Sequence, residues 1–372
     1  MHSTNTTLQV STPTAAAATI AGQLFDVVVI GAGQSGLSLA WYLARRGVRY
    51  LLIDANHEIG TSWRRRYDSL RLFSPAQYDG LPGAEFPAAA DTYPGKDDVA
   101  DFLAAYAERN AFPILSGTTV TRVTRSGSTF ELHTTAGTVR GRQVVVASGA
   151  CNGPFTPAMA ADLDGVQQRH SADYRKPSDV PAGRVLIVGA ANSGLQIAAD
   201  LAGTHRVTVA VGTRPPAVPQ RIAGRDLFWW FSRLGLMSLG PRSVLARRLR
   251  ARGDVVIGTN VSDLAARGVE FRPRLVAAAG SVARFADGSE QRVDSVIWAT
   301  GYRPDFSWID IPGATEADGQ PRHAGGRSLT AAGLWFLGLP WQRSRGSSLL
   351  GFVQRDAAYL DTQMFANEGV QR

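Results

Sequence analysis

The chain has a single cysteine, Cys151, in 372 residues, so it forms no internal disulfide and no cysteine-rich metal cluster. It has no C-x-x-C pair, which excludes the dithiol relay used by thioredoxin-reductase-like flavoproteins. Lysine is nearly as scarce. Of 39 basic residues only Lys96 and Lys176 are lysine, and arginine carries the net charge of +8. The arginines read as scattered, with no basic helix and no aromatic-basic module, so no nucleic-acid partner is expected. A long apolar run is also missing: none reaches the roughly 18 residues of a membrane span. Residues 1–22, rich in Ser, Thr and Ala, lack the basic start and apolar core of a signal peptide. They read as a disordered tail, and the compartment as cytoplasmic. No nucleophile triad or acid–base pair stands out. The length suffices for two domains with real cores, and nothing in it sets an oligomeric state.

What is present is a pair of glycine loops, each after an apolar run and before a helical pattern, the context such loops require. The first follows Phe25–Ile30 and carries Gly31, Gly33, Gln34, Ser35 and Gly36. The second follows Arg184–Val188 and carries Gly189, Ala191, Asn192, Ser193 and Gly194. Glycine there allows a tight turn and a close approach to a pyrophosphate, whose charge sits at the helix N-terminus. Ala191 departs from the pattern at the second glycine. The same offset from each first glycine lands on Asp54 in one loop and Gly212 in the other. A carboxylate there accepts hydrogen bonds from a ribose 2′-OH, which suits FAD or NAD; a site without one, with Arg214 following, suits a 2′-phosphate, hence NADPH.

A longer repeat supports two modules. Phe130–His133, a turn at Ala136-Gly137 and the run Val144–Val146 end in Ala147-Ser148-Gly149. Val282–Phe285, the Asp287-Gly288 turn and Val296–Trp298 end in Ala299-Thr300-Gly301. The small residues of A-[ST]-G let a strand end close against a cofactor or cross between domains. The predicted fold is α/β, with two dinucleotide-binding (Rossmann-like) modules. The NADPH module is inserted into the FAD module, and each has a small antiparallel β-meander. The expected division is a tail over 1–22, an FAD-binding part over 23–178, an NADPH-binding module over 179–298, and a return with a C-terminal helix, from about Ser347, over 299–372.

With these residues in view, the chain resembles the class B flavoprotein monooxygenases, above all the bacterial flavin-containing-monooxygenase-like oxidoreductases of CzcO type and the plant YUCCA-type enzymes. Trp63 with Tyr67-Asp68-Ser69-Leu70-Arg71-Leu72 resembles the segment these proteins place beside the flavin. Tyr93-Pro94-Gly95-Lys96 opens a helix as in the family. Gly165, His170, Ser171 and Tyr174 resemble the fingerprint between the modules, with Leu163 in place of Phe and His170 one residue further along. Baeyer–Villiger relatives carry Trp where Tyr174 stands, which favours the heteroatom-oxygenating branch. The resemblance implies bound FAD, reduction by NADPH, O₂ as co-substrate, and a C4a-hydroperoxyflavin that acts on a small-molecule soft nucleophile, an amine nitrogen or sulfur, or on a 2-oxo acid. The cofactor carries the hard step, and the protein supplies position and dryness.

Several residues keep two readings. His170 orients NADP⁺ or fixes the inter-module connection. Asn152 bonds reduced flavin or NADP⁺, or belongs to the turn at Gly153-Pro154. Trp63 walls the flavin or is an ordinary core residue. Ser347-Ser348 are candidate caps for the last helix. The aromatic run Leu227–Phe231 lines a channel, touches a membrane surface, or packs as a helix. Two alternatives stand beside a monooxygenase: a flavin reductase serving another acceptor, and a non-catalytic redox sensor.

Overall fold

A computed structural model describes residues 22–213, 216–251, 255–259 and 261–366. The expected tail, apart from Gly22, and Arg214 lie outside the described residues.

The chain opens with β1 (Leu24–Ile30), a near-continuous apolar strand buried on both faces, as a parallel central strand requires. Helix α1 (Gln34–Arg46) packs its apolar stripe on the sheet and ends at Gly47, whose φ of 69° gives the left-handed turn that stops it. β2 (Tyr50–Ile53) pairs in parallel with β1. A short helix, α2 (Thr61–Arg64), precedes α3 (Lys96–Arg109). Asp98 starts α3 by accepting the Gly95 N–H at 2.8 Å, and Asp97 and Asp98 sit in its first turn, where the helix dipole favours negative charge. β3 (Ile114–Leu115) extends the sheet, and β4 (Val120–Ser126), β5 (Thr129–Thr134) and β6 (Gly137–Val146) form the antiparallel meander. β6 is long enough to do two jobs: its first half pairs with β5 and it runs parallel to β1.

The second sheet has β7 (Gln167–His170), β8 (Arg184–Val188), β9 (Arg206–Val211), β10 (Glu270–Pro273) and β14 (Ser295–Trp298), in spatial order β10-β9-β8-β14-β7. Its meander is β11 (Leu275–Ala279), β12 (Val282–Phe285) and β13 (Glu290–Arg292). β7 corrects one expectation. Its residues fall within 23–178, the span expected of the FAD-binding part, yet the strand pairs in parallel with β14 of the second sheet. Its polar Gln-Gln-Arg-His sequence gave no strand signal, because an edge strand needs little apolar surface.

Helix α4 (Asn192–Leu201) follows the second loop; α5 (Leu227–Arg233) and α6 (Val244–Ala251) belong to an insertion between β9 and β10. α6 carries Arg247, Arg248 and Arg250, so the expectation of no basic helix is also corrected. Eight residues are too few for a helical period to show in sequence. The return strand β15 (Leu334–Phe336) pairs with β6 and so completes the first sheet. The last helix, α7 (Val353–Met364), starts six residues later than expected, and no side chain caps it. Ser347 instead accepts the N–H groups of Arg343 and Ser344, at 3.0 and 2.9 Å, and so ties a turn. Among the described residues no helix is long and apolar enough to cross a membrane, and no cluster of His, Cys, Asp or Glu is arranged to hold a metal.

Candidate active site

The two glycine loops have the same construction. Gly31, at φ 106°, leaves room for the strand end beside it: a Cβ there would lie 2.5 Å from the Ala147 carbonyl oxygen. A Cβ on Gly36 would lie 1.9 Å from the Gly31 oxygen, so this glycine lets α1 press on the loop. Gly33 is different. Its φ of −79° suits any residue, and nothing lies within 4 Å of where a Cβ would point. That open side is where a pyrophosphate would approach the helix N-terminus. Asp54 closes the loop from β2: one carboxylate oxygen accepts the Ala32 N–H at 2.7 Å, the other the Asn56 N–H at 2.8 Å. Trp63 is half-buried and donates its indole N–H to the Gln34 side-chain oxygen at 3.2 Å, which sets its ring beside this loop. Gly149, at φ 80°, has open space beside it.

In the second loop a Cβ on Gly189 would lie 2.3 Å from the Ala299 oxygen, and one on Gly194 2.0 Å from the Gly189 oxygen. Ala191 has φ −84° and ψ −175°, against −79° and −171° for Gly33, so alanine is unstrained there and only its exposed methyl group differs. Asn192 binds the backbone of the insertion, donating its amide to the Val255 carbonyl at 3.1 Å and accepting from the Ile257 N–H at 3.2 Å. Ser193 stands in the first turn of α4.

Two residues here escaped the sequence reading. A Cβ on Gly338 would lie 2.2 Å from the Ser35 hydroxyl, so the end of β15 rests on the first turn of α1. Its signal was a glycine directly after an apolar strand, as in the A-[ST]-G ends. Arg274, between β10 and β11, holds its guanidinium about 3.7 Å from where a Cβ on Gly212 would be. It reaches the position matching Asp54 from a neighbouring strand, a relationship that linear spacing does not encode.

The linking segments meet between the loops. The Phe155 N–H donates to Gly301 at 3.0 Å and the Arg303 N–H to Gly153 at 2.6 Å, so the outgoing and returning chains run as an antiparallel pair. Thr300 donates its hydroxyl to the Phe155 carbonyl. His170 is buried. Its Nδ1 accepts the Ala172 N–H at 3.0 Å, so the proton is on Nε2, which lies 3.0 Å from the Gly301 carbonyl and donates to it. Burial holds its pKa below the usual histidine value, with the Gly301 bond opposing. Both ring nitrogens are thus spent on backbone, which is the connection-fixing arrangement. Asn152 is exposed at the turn.

The segment after Trp63 divides. Arg66 donates to the Tyr302 hydroxyl at 2.8 Å, on the returning linker. Tyr67, expected beside the flavin, is buried in the second module's core and bonds the Gln196 side chain on α4. Tyr174 donates to Asp200 on the same helix at 2.7 Å. Arg71 is exposed at the start of α3, 3.9 Å from Asp98.

An aromatic cluster joins the modules. Phe228 of α5, 1% exposed, stacks on Phe73 at 5.9 Å and packs against Tyr78 and Phe352 at 6.2 and 6.1 Å. Asp226 fixes the start of α5 by accepting the Phe228 N–H at 2.6 Å, and its other oxygen accepts from Tyr93 at 2.7 Å. Phe228 is therefore a packed residue, while Trp229 and Trp230 are partly exposed. Beside Tyr78, Asp79 is 1% exposed; Ser74 donates to one oxygen at 2.5 Å and the other has no partner. Burial pushes its pKa up to about 7. The mixed stretch Pro75-Ala76-Gln77-Tyr78-Asp79-Gly80 gave no sign of this in the sequence.

Comparison with known proteins agrees with this geometry. The family model described as pyridine nucleotide-disulphide oxidoreductase matches residues 28–220. An uncharacterised CzcO-like oxidoreductase of Geobacillus kaustophilus is 40% identical over 91% of this chain and 97% of its own length. Indole-3-pyruvate monooxygenase YUCCA4 of Oryza sativa is 26% identical over 93% of this chain and 87% of its own. The solved structure of a flavin-containing monooxygenase from Stenotrophomonas maltophilia superposes with a TM-score of 0.79 and 31% identity, covering 92% of this chain and 99% of that one.

Proposed function

The chain belongs to the class B flavin-monooxygenase-like branch of the pyridine nucleotide-disulphide oxidoreductases, together with the CzcO-like enzymes, and on that premise we propose that it is an NADPH- and O₂-dependent FAD monooxygenase acting on a nucleophilic nitrogen or sulfur, or on a 2-oxo acid. The carrying observation is the matched pair of loops, of which only the first ends its second strand in a carboxylate. For an amine or sulfide, substrate, NADPH, a proton and O₂ go to oxygenated substrate, NADP⁺ and water; for a 2-oxo acid they go to the carboxylic acid one carbon shorter, CO₂, NADP⁺ and water.

The residues fit both nucleotides. Gly31, Gly36 and the open face of Gly33 form a cradle that a side chain would fill. Asp54, already aligned by Ala32 and Asn56, presents its remaining lone pairs to a ribose. Ser35, Gly338, Ala147 and Gly149 wall the same cradle. Gly189, Ser193 and Gly194 form the counterpart for NADPH, with Thr300 and Gly301 crossing beside it. Arg274 and Arg214 are assigned to its 2′-phosphate, since a guanidinium pairs with phosphate through parallel hydrogen bonds.

FAD, when bound, supplies the electron transfer and oxygen activation. The chain supplies position and dryness. His170, the paired linkers and Arg66 hold the modules at a fixed distance. Trp63 and the cluster of Phe73, Tyr78, Phe228 and Phe352 exclude water. Asp79 holds a proton near neutral pH behind that wall.

The test is NADPH consumption under ¹⁸O₂ across amines, sulfides and 2-oxo acids. Label entering one product supports the reading. NADPH oxidation with all electrons recovered as hydrogen peroxide, or in an added acceptor, and no labelled product would replace it with a flavin reductase.

A further inference from the structure

The insertion between β9 and β10 has a surface that the oxygenation chemistry does not use. Residues 216–257 carry +6 of the chain's net +8, with eight arginines against two aspartates. One of those aspartates, Asp226, is buried and bonded to Tyr93, Gln220 and Phe228. Arg221, Arg225, Arg233, Arg242, Arg247 and Arg248 are exposed, and none pairs with a described carboxylate. Elsewhere arginines are commonly matched, as in Arg46–Asp361, Arg122–Asp310, Arg142–Asp26 and Arg284–Glu290.

The same segment holds four of the six exposed large hydrophobic side chains among the described residues: Ile222 at 41%, Leu234 at 65%, Val244 at 56% and Leu245 at 47%. On α6, Ala246 faces inward, and Val244, Leu245, Arg247 and Arg248 face outward, so apolar and cationic groups share one side. Ile222 and Arg225 flank a two-residue hairpin turn, in which Ala223 has φ 48° and Gly224 φ 72°. Trp230 ties its indole N–H to the Ile222 carbonyl at 3.0 Å, and Arg225 lies 5.5 Å from the Trp229 ring.

We propose that this insertion docks on an anionic lipid bilayer, its apolar side chains entering the headgroup region and its arginines meeting lipid phosphates. Unmatched positive charge mixed with exposed aliphatic and tryptophan side chains is the composition that binds such an interface. A nucleic acid would account for the arginines and leave the exposed aliphatic groups in water. α5 then joins two environments. Trp229 and Trp230 lie toward the lipid, and Phe228 reaches the inter-module aromatic cluster. A substrate partitioned into the membrane would meet the protein at the helix that walls the site.

The test uses the full chain with vesicles of phosphatidylcholine, with and without phosphatidylglycerol, read by co-sedimentation and tryptophan emission. Neither readout needs turnover, so failure here leaves the oxygenation reading untouched. Binding to anionic vesicles is expected in about 0.1 M salt and is lost on the order of 0.5 M, where charges are screened over a few ångström. Each arginine at such a surface multiplies partitioning about fivefold. Arg247→Glu with Arg248→Glu should therefore lower it by at least about 25-fold and leave NADPH oxidation unchanged. Leu234→Ser with Val244→Ser should lower it too and remove the blue shift of emission. Equal binding to both vesicle types, full binding by the charge-reversed protein, or retention on nucleic acid with no vesicle binding would overturn the proposal. So would self-association that the Leu234→Ser, Val244→Ser protein loses while neither protein binds vesicles.

Discussion

Gly189 stands to the carbonyl of Ala299 as Gly31 stands to that of Ala147: a Cβ on either glycine would fall within 2.5 Å of the oxygen. Each sheet thus brings the end of its return strand onto the first turn of its nucleotide loop. The third glycine repeats the theme, since Gly36 and Gly194 lie against the oxygens of Gly31 and Gly189. The listener on the other side of each contact is backbone, which cannot swing away as a side chain would.

Gly36→Ala and Gly194→Ala should therefore separate the two nucleotides. Each forces a methyl group into a carbonyl and costs about 1–3 kcal/mol or more of local packing. Gly36→Ala is expected to purify without flavin absorbance. Gly194→Ala should keep its flavin and lose NADP⁺ binding, as read by titration calorimetry. Flavin loss in both, or in neither, would mean that the loops do not serve one nucleotide each.

Asp54→Ala should weaken FAD by about 10- to 150-fold, the equivalent of a charged hydrogen bond of roughly 1.5–3 kcal/mol. The deleted carboxylate also frees the Ala32 and Asn56 N–H groups, so part of the loss comes from a looser loop. Flavin content after dilution measures it. An unchanged flavin content would remove Asp54 from the ribose.

Arg274→Ala should raise the NADPH KM by about 10- to 150-fold and leave NADH nearly unaffected, because only NADPH offers a phosphate to the guanidinium. The rate at saturation should hold, since the contact is the same in ground and transition states. Arg214→Ala is expected to act in the same direction. Gly212→Asp, which places a carboxylate beside Arg274, should shift preference toward NADH. Equal losses for both nucleotides would show that Arg274 acts on packing alone.

Asp79 gives a pH dependence with a definite sign. The folded protein holds its proton up to about pH 7, whereas an unfolded carboxyl lets go near 3.8. The native state therefore binds the extra proton between these values, and stability contributed by this group falls as pH rises from 3.8 to about 7. Above that the penalty is complete, up to about 4 kcal/mol. Asp79→Asn should flatten that slope and raise Tm at pH 8 more than at pH 4. A variant no more stable than the parent at pH 8 would show that the carboxylate finds a partner.

Much of the frame was legible in the chain itself. Glycine spacing, the apolar runs before the loops, Asp54 and the two A-[ST]-G strand ends are local features, because a tight turn and a buried parallel strand each dictate residue types over a few positions. The same local rules missed β7, whose edge position needs no apolar pattern, and α6, which is too short to show a period. They also put the start of the last helix at Ser347, where the hydroxyl instead closes a turn on Arg343 and Ser344.

The sequence by itself determined that there are two nucleotide loops, and which of them carries the carboxylate, because each loop is one continuous stretch. Only the tertiary structure decided which distant groups stand beside them. Arg274 reaches Gly212 because β10 lies next to β9, and Gly338 reaches Ser35 because β15 runs beside β6. His170 became a fixed support when burial and the Gly301 carbonyl took its second nitrogen. Burial on folding pushed the pKa of Asp79 up to about 7. Strand neighbours and burial are properties of the packed chain, set by contacts between residues far apart in sequence, and no local pattern records them.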